Sequence, residues 1–152
     1  MKKSKIFKCP VHGYISIPGK IVELFIDSAI FQRLRHIEQT SMHPLYPSAH
    51  HNRFVHSLGV YHLASTAIHY LEKNIGPDLK QTLQKYRWAF CIAALMHDCG
   101  HAPFSHSFEP YYEKNNRARK LLLQLIKDND TDFEDDFMFR VNRGIGPAPH
   151  EI

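Results

Sequence analysis

Cysteine is scarce and unpatterned in this chain. Its three residues, Cys9, Cys91 and Cys99, are odd in number and lack CxxC spacing. That excludes a disulfide framework and reads as reduced, cytosolic thiols. Long apolar runs are also missing: no stretch of about 18 apolar residues occurs, so no membrane-spanning helix is expected. The basic start Met1-Lys2-Lys3-Ser4-Lys5 is followed by neither a long apolar region nor a small-residue cleavage site. This speaks against a secretory signal and for a cytoplasmic protein. Repeats, low-complexity tracts and linkers are absent, so the 152 residues suit one domain around one core. The 43% hydrophobic content is enough to build that core and to exclude disorder by composition. A formal charge of +4 favours anionic partners such as nucleotides or nucleic acid. The most unusual feature is the presence of 12 histidines, and their placement directs the rest of the reading.

Residues 6–17 combine Pro10 and Gly13 with alternating apolar positions, the pattern of a short hairpin or extended arm. Pro18 opens a helix whose apolar face is Ile21, Val22, Leu24, Phe25 and Ile26. Ser28, a suitable N-cap, opens a second helix running to Gln39. Residues 41–52 hold Pro44, Pro47 and three histidines and read as a loop. From Arg53 to Lys73, Phe54, Leu58, Tyr61, Leu63, Ala67, Ile68 and Leu71 recur near helical spacing. Asn74-Ile75-Gly76-Pro77 ends that helix, and the next spans Asp78 to Asp98. Its second half, Trp88 to Met96, is apolar all round, as expected of a helix buried in the middle of a domain. Further helices are expected over 108–128 and 132–143, before the break at Gly144-Ile145-Gly146-Pro147. The fold class is mainly α.

The chemistry concentrates in His97-Asp98-Cys99-Gly100-His101, with His56 on the preceding helix. Imidazole nitrogen and carboxylate oxygen together suit a divalent metal. A bare Asp beside a buried apolar run costs several kcal/mol unless paired or bound to a cation. Adjacent helical side chains diverge by about 100°, so His97 and Asp98 can share an ion only where the helix ends, and Gly100 supplies the ending. On these residues alone, an ordinary helix end with a histidine near the dipole fits as well. The acidic run Asp128, Asp130, Asp132, Glu134, Asp135 and Asp136 is no EF-hand. Phe133 takes the glycine position and Phe139 the final glutamate position. Trp88, Tyr111 and Tyr112 read as core or rim aromatics.

Four ordered motifs resolve the ambiguity. His51-Asn52-Arg53-Phe54-Val55-His56-Ser57-Leu58-Gly59-Val60 has the pattern HxRFxHSLGV, and His97 to His106 the pattern HDxGHxPFSH. Phe31 to Gln39 reads FQRLRxIxQ, and Pro10-Val11-His12-Gly13 reads PxHG. Together they resemble the HD-domain metal-dependent phosphohydrolases, in the dNTP triphosphohydrolase branch that includes bacterial dGTPases. The resemblance covers roughly residues 5–109. It implies that residues 1–152 form a single HD-domain helical bundle with a short N-terminal hairpin, incomplete at its C-terminus. It also implies His56, His97 and Asp98 as metal ligands, with a fourth, an Asp, beyond Ile152. His101 and His106 would face the substrate phosphates, Arg53 would contact phosphate, and Gln39 would lie near sugar and base. Glu109 would orient a histidine, and His150 of His150-Glu151 would be the general acid. Lys5, Asp27, Gln32 and Arg35 match positions that in some relatives bind a regulatory nucleotide between subunits, which would imply a homo-oligomer; Asp27 and Arg35 as surface pairs on two short helices is the other reading. Cys9 stands where relatives carry Asp, and Thr40-Ser41 replaces a small apolar pair.

The implied reaction is metal-assisted hydrolysis of a deoxynucleoside triphosphate to deoxynucleoside and triphosphate, with the cofactor iron, manganese, zinc, nickel or magnesium. Two other readings remain at this point. One is an HD phosphohydrolase acting on another nucleotide or a phosphomonoester. The other is a nucleotide- or nucleic-acid-binding module that has lost hydrolysis.

Overall fold

A computed structural model describes residues 3–40, 44–48, 50–101, 117, 120, 121 and 124, with only the backbone described at residue 78. The chain divides into two compact units, Met1–Cys99 and Gly100–Ile152. In the second unit, Arg117, Lys120, Leu121 and Gln124 are helical, inside the helix expected over 108–128. The helix expected over 132–143, Tyr111, Tyr112 and the acidic run lie outside the described residues.

The first unit opens with the hairpin β1 (Lys5–Cys9) and β2 (Gly13–Ile17), antiparallel, with Lys5 opposite Ile17 and Cys9 opposite Gly13. Gly13 has φ +72°, a conformation that only glycine adopts freely, and this closes the three-residue connection. Alternation puts Cys9, Ile15 and Ile17 into the core and leaves Ile6 and Tyr14 outside.

The expected helix after Pro18 forms in two parts. One turn of α-helix, α1 (Gly19–Ile21), widens into a π turn over Val22–Ile26, closed by Asp27 N–H donating to Val22 O at 2.8 Å. Ile21, Val22 and Ile26 are buried, whereas Leu24 is exposed. The second expected helix is shorter than its periodicity suggested. Ser28 does cap it, accepting from Phe31 N–H, but α2 (Ala29–Gln32) tightens into a 3₁₀ turn over Arg33–His36. The chain must be extended by Ile37, because Ile37 O accepts from Arg53 N–H at 2.8 Å and Glu38 bridges Asn52. Gln39 N–H donating to His51 O at 2.9 Å completes a clasp at the base of the expected loop.

That clasp fixes the start of α3 (Arg53–Asn74), whose N-cap Asn52 accepts from Val55 N–H at 3.0 Å. Phe54, Leu58, Tyr61 and Ile68 form its buried stripe, and Phe54 meets Phe31 edge-on. Ile75 and Gly76 turn the chain, and α4 (Pro77–Met96) begins with proline in its first turn. α4 runs back along α3, with Arg87 3.5 Å from Glu72 and the end of α4 reaching the start of α3. Its second half is not buried all round. Cys91 and Leu95 are buried, but Trp88 is 48% and Phe90 51% exposed. Among the described residues, α4 packs on one stripe only, the one facing α3 and the core.

Candidate metal centre

The antiparallel pairing brings the first turn of α3 against the end of α4, and Arg53, His56, His97 and Asp98 form one cluster there. His56 Nε2 lies 3.7 Å from Asp98 Oδ2, and His97 Nε2 lies 3.3 Å from Asp98 Oδ1. The two imidazole rings meet edge-on with centroids 5.2 Å apart. One ligand atom from each of His56, His97 and Asp98 falls within 4.8 Å of the others. Bonds of about 2.1 Å to one tetrahedral ion separate ligand atoms by roughly 3.4 Å, so the observed spacing fits a shared divalent cation.

Local structure prepares each donor. α4 ends at Met96 and the chain turns at His97, which brings His97 and Asp98 to the same side. His97 Nδ1 donates to Ala94 O at 2.8 Å. Since the carbonyl only accepts, this fixes the proton on Nδ1 and leaves the Nε2 lone pair facing the cluster, the tautomer a metal requires. The His56 pKa is lowered, chiefly by burial. Asp98 opposes that effect, while the charges of His97, Arg53 and His51 add to it. His56 is therefore neutral at pH 7 and ready to ligate.

Asp98 is 4% exposed, and Arg53 Nη1 lies 2.8 Å from its Oδ2. Arg53 is itself 2% exposed. An Arg of the type that grips phosphate thus faces the carboxylate of the proposed ligand set. Nothing in the sequence signalled that pairing. Cys99 takes no part in the donor set: its thiol packs on Met96 Sδ at 3.7 Å. Burial pushes its pKa up to about 11, with Arg33 drawing it down and Asp98 adding to the rise.

His101 is buried and belongs to the second unit. Gln39 is half-buried at the loop clasp. His106, Glu109 and His150 lie outside the described residues. Lys5 and Asp27 pair at 3.7 Å, both half-exposed. Gln32 Nε2 donates to Ile26 O at 2.7 Å and Gln32 Oε1 accepts from Arg35 Nε at 2.8 Å, while the Arg35 guanidinium stacks 3.6 Å from the Phe54 ring centre. The structure therefore gathers Gln32 and Arg35 into one pair and Lys5 and Asp27 into another. The two pairs are linked through the adjacent residues Ile26 and Asp27.

A helical hairpin holding two histidines and an aspartate at its open end, away from the Ile75–Gly76 turn, defines an HD-type metal-centre domain. The HD domain family matches residues 53–136, and the chain belongs to that family. It is similar to the deoxynucleoside triphosphate triphosphohydrolase SAMHD1 homolog of Dictyostelium discoideum, with 39% identity over 78% of this chain and 23% of the relative. It is also similar to the deoxynucleoside triphosphate triphosphohydrolase SAMHD1 of Gallus gallus, with 45% identity over 69% of this chain and 17% of the relative. Among solved structures, a hypothetical protein from Aquifex aeolicus matches at TM-score 0.60 and 28% identity, covering 97% of this chain and 40% of that one. The chain thus spans less than a quarter of the length of these curated relatives.

Proposed function

We propose that this chain carries the metal-binding part of a deoxynucleoside triphosphate triphosphohydrolase, which releases deoxynucleoside and triphosphate. The observation that carries the reading is the convergence of His56, His97 and Asp98 on one point, with the Nε2 lone pair of His97 oriented by Ala94 O. The activity for which the SAMHD1 relatives are named supports the choice of substrate. The family match runs across the division at Cys99, which supports reading residues 1–152 as one HD domain. His56, His97 and Asp98 would hold an iron, manganese, zinc, nickel or magnesium ion. When bound, such an ion lowers the pKa of a water and polarises a phosphoryl oxygen. Arg53 holds the Asp98 carboxylate in place and carries a positive charge beside the position phosphate would take. His101 and His106 would donate to phosphate oxygens, Gln39 would meet the sugar or base, Glu109 would orient a histidine, and His150 would protonate the leaving group. Lys5, Asp27, Gln32 and Arg35 would receive a regulatory nucleotide in a cytoplasmic homo-oligomer. Basic charge leaves nucleic acid as a further partner.

The first test is metal content, followed on the same sample by product analysis with a panel of deoxynucleoside triphosphates and added manganese. Metal-dependent tripolyphosphate and deoxynucleoside are expected. Release of orthophosphate or pyrophosphate instead would move the reading to an HD phosphohydrolase of different regiochemistry.

A further inference from the structure

A helix end leaves carbonyls without intrahelical donors, and each must find a partner. At the end of α4, Ala94 O accepts from His97 Nδ1 and Met96 O accepts from Cys99 N–H at 2.9 Å. The Cys99 carbonyl accepts from Nη2 of Arg33, a residue far away in sequence. Arg33 begins the 3₁₀ turn Arg33–His36, which the fully buried Leu34 anchors in the core. One residue beyond that turn, Ile37 O accepts from Arg53 N–H at 2.8 Å. Residues 33–37 therefore grip both ligand-bearing helix ends: the start of α3, with Arg53 and His56, and the end of α4, with His97 and Asp98. The Arg33 guanidinium at the C-terminus of α4 also has the sign that the helix dipole favours.

We propose that Arg33 is a positioning residue of the metal centre, whose hydrogen bond to the Cys99 carbonyl holds the turn that presents His97 and Asp98. The proposal rests on the metal-centre reading above. Loss of the clamp frees the turn while leaving every ligand in the chain, so it acts on the geometry of the centre rather than its composition. Groups that orient metal ligands typically change metal affinity by about 10- to 100-fold when removed.

The test uses cobalt(II) as the probe, read by its visible absorption spectrum and by chelator competition, in the wild type and in Arg33→Met, Arg33→Gln and Arg33→Lys. Urea unfolding of the metal-free proteins is measured in parallel. Arg33→Met is expected to bind cobalt about 10- to 100-fold more weakly and with an altered spectrum. Arg33→Lys, which keeps a cationic donor, should recover most of both. Wild-type affinity and spectrum in folded Arg33→Met overturn the proposal, as does a loss of stability with unchanged cobalt binding by the folded fraction. If Arg33→Met does not fold, Arg33→Gln decides: weaker binding supports the clamp and wild-type binding overturns it. Failure of the wild type itself to bind cobalt instead overturns the metal centre, and the positioning role falls with it.

Discussion

Asp98 faces a guanidinium as well as two imidazoles, and this shapes what its substitution does. It is buried against Arg53 at 2.8 Å and also faces two imidazoles. Removing the carboxylate leaves a buried guanidinium without this counter-charge, which typically costs about 3–5 kcal/mol. Asp98→Ala is therefore expected to lose metal and much of its stability together, whereas Asp98→Asn should lose metal while keeping volume and fold. Metal analysis beside urea unfolding separates the two, and full metal retention in Asp98→Asn would remove Asp98 from the ligand set. A second change, Arg53→Met in the Asp98→Ala background, should restore part of the lost stability, since an apolar pair avoids the buried charge. The grouping of His56, His97 and Asp98 was legible in the sequence through the HxRFxHSLGV and HDxGHxPFSH motifs, since on the residues alone an ordinary helix end fits as well. The Arg53–Asp98 pairing was not, because spacing along the chain does not say which of two anions, phosphate or carboxylate, an arginine will face.

Among the elements, α3 was the most legible, because its regular apolar spacing points to one helix, to which the structure adds the Asn52 cap. The segment after Ser28 was less so. Its apolar residues fit a helix to Gln39, but backbone hydrogen bonds from Ile37 and Gln39 to the region of Asn52 outweigh that local preference. α4 misled in the other direction: its apolar second half suggested burial on every side, whereas Trp88 and Phe90 are exposed in the structure. Gly59 shows how closely the hairpin docks on α3, since a Cβ there would lie 3.0 Å from His12 Nε2. Gly59→Leu should force His12 away and cost about 1–3 kcal/mol, the range for overpacking. Faster amide exchange across residues 5–17 would accompany the loss, and unchanged exchange there would show that the hairpin is held independently of this contact.

The unit Met1–Cys99 buries ionisable groups that resist losing their protons. Burial raises the pKa of Tyr61 above 10.0 and of Cys91 above 9.0, and pushes Cys99 up to about 11. The unfolded chain gives up these protons first as pH rises. The stabilisation is therefore intact below about pH 9 and is lost progressively towards pH 11. Urea-unfolding free energies across that range should fall steadily, and a curve that stays level to pH 11 would place these groups in contact with water. The clasp between residues 37–39 and 51–53 has a consequence of a different kind. It separates the stretch between Gln39 and His51 from the helix ends that carry His56, His97 and Asp98, much as a handle is fastened to a plate. Loop-closure entropy rises only slowly with length. Residues can therefore be added near Pro47 with little effect on the fold, making this stretch a tractable place to graft a fluorophore or an affinity tag that reports on the neighbouring histidines.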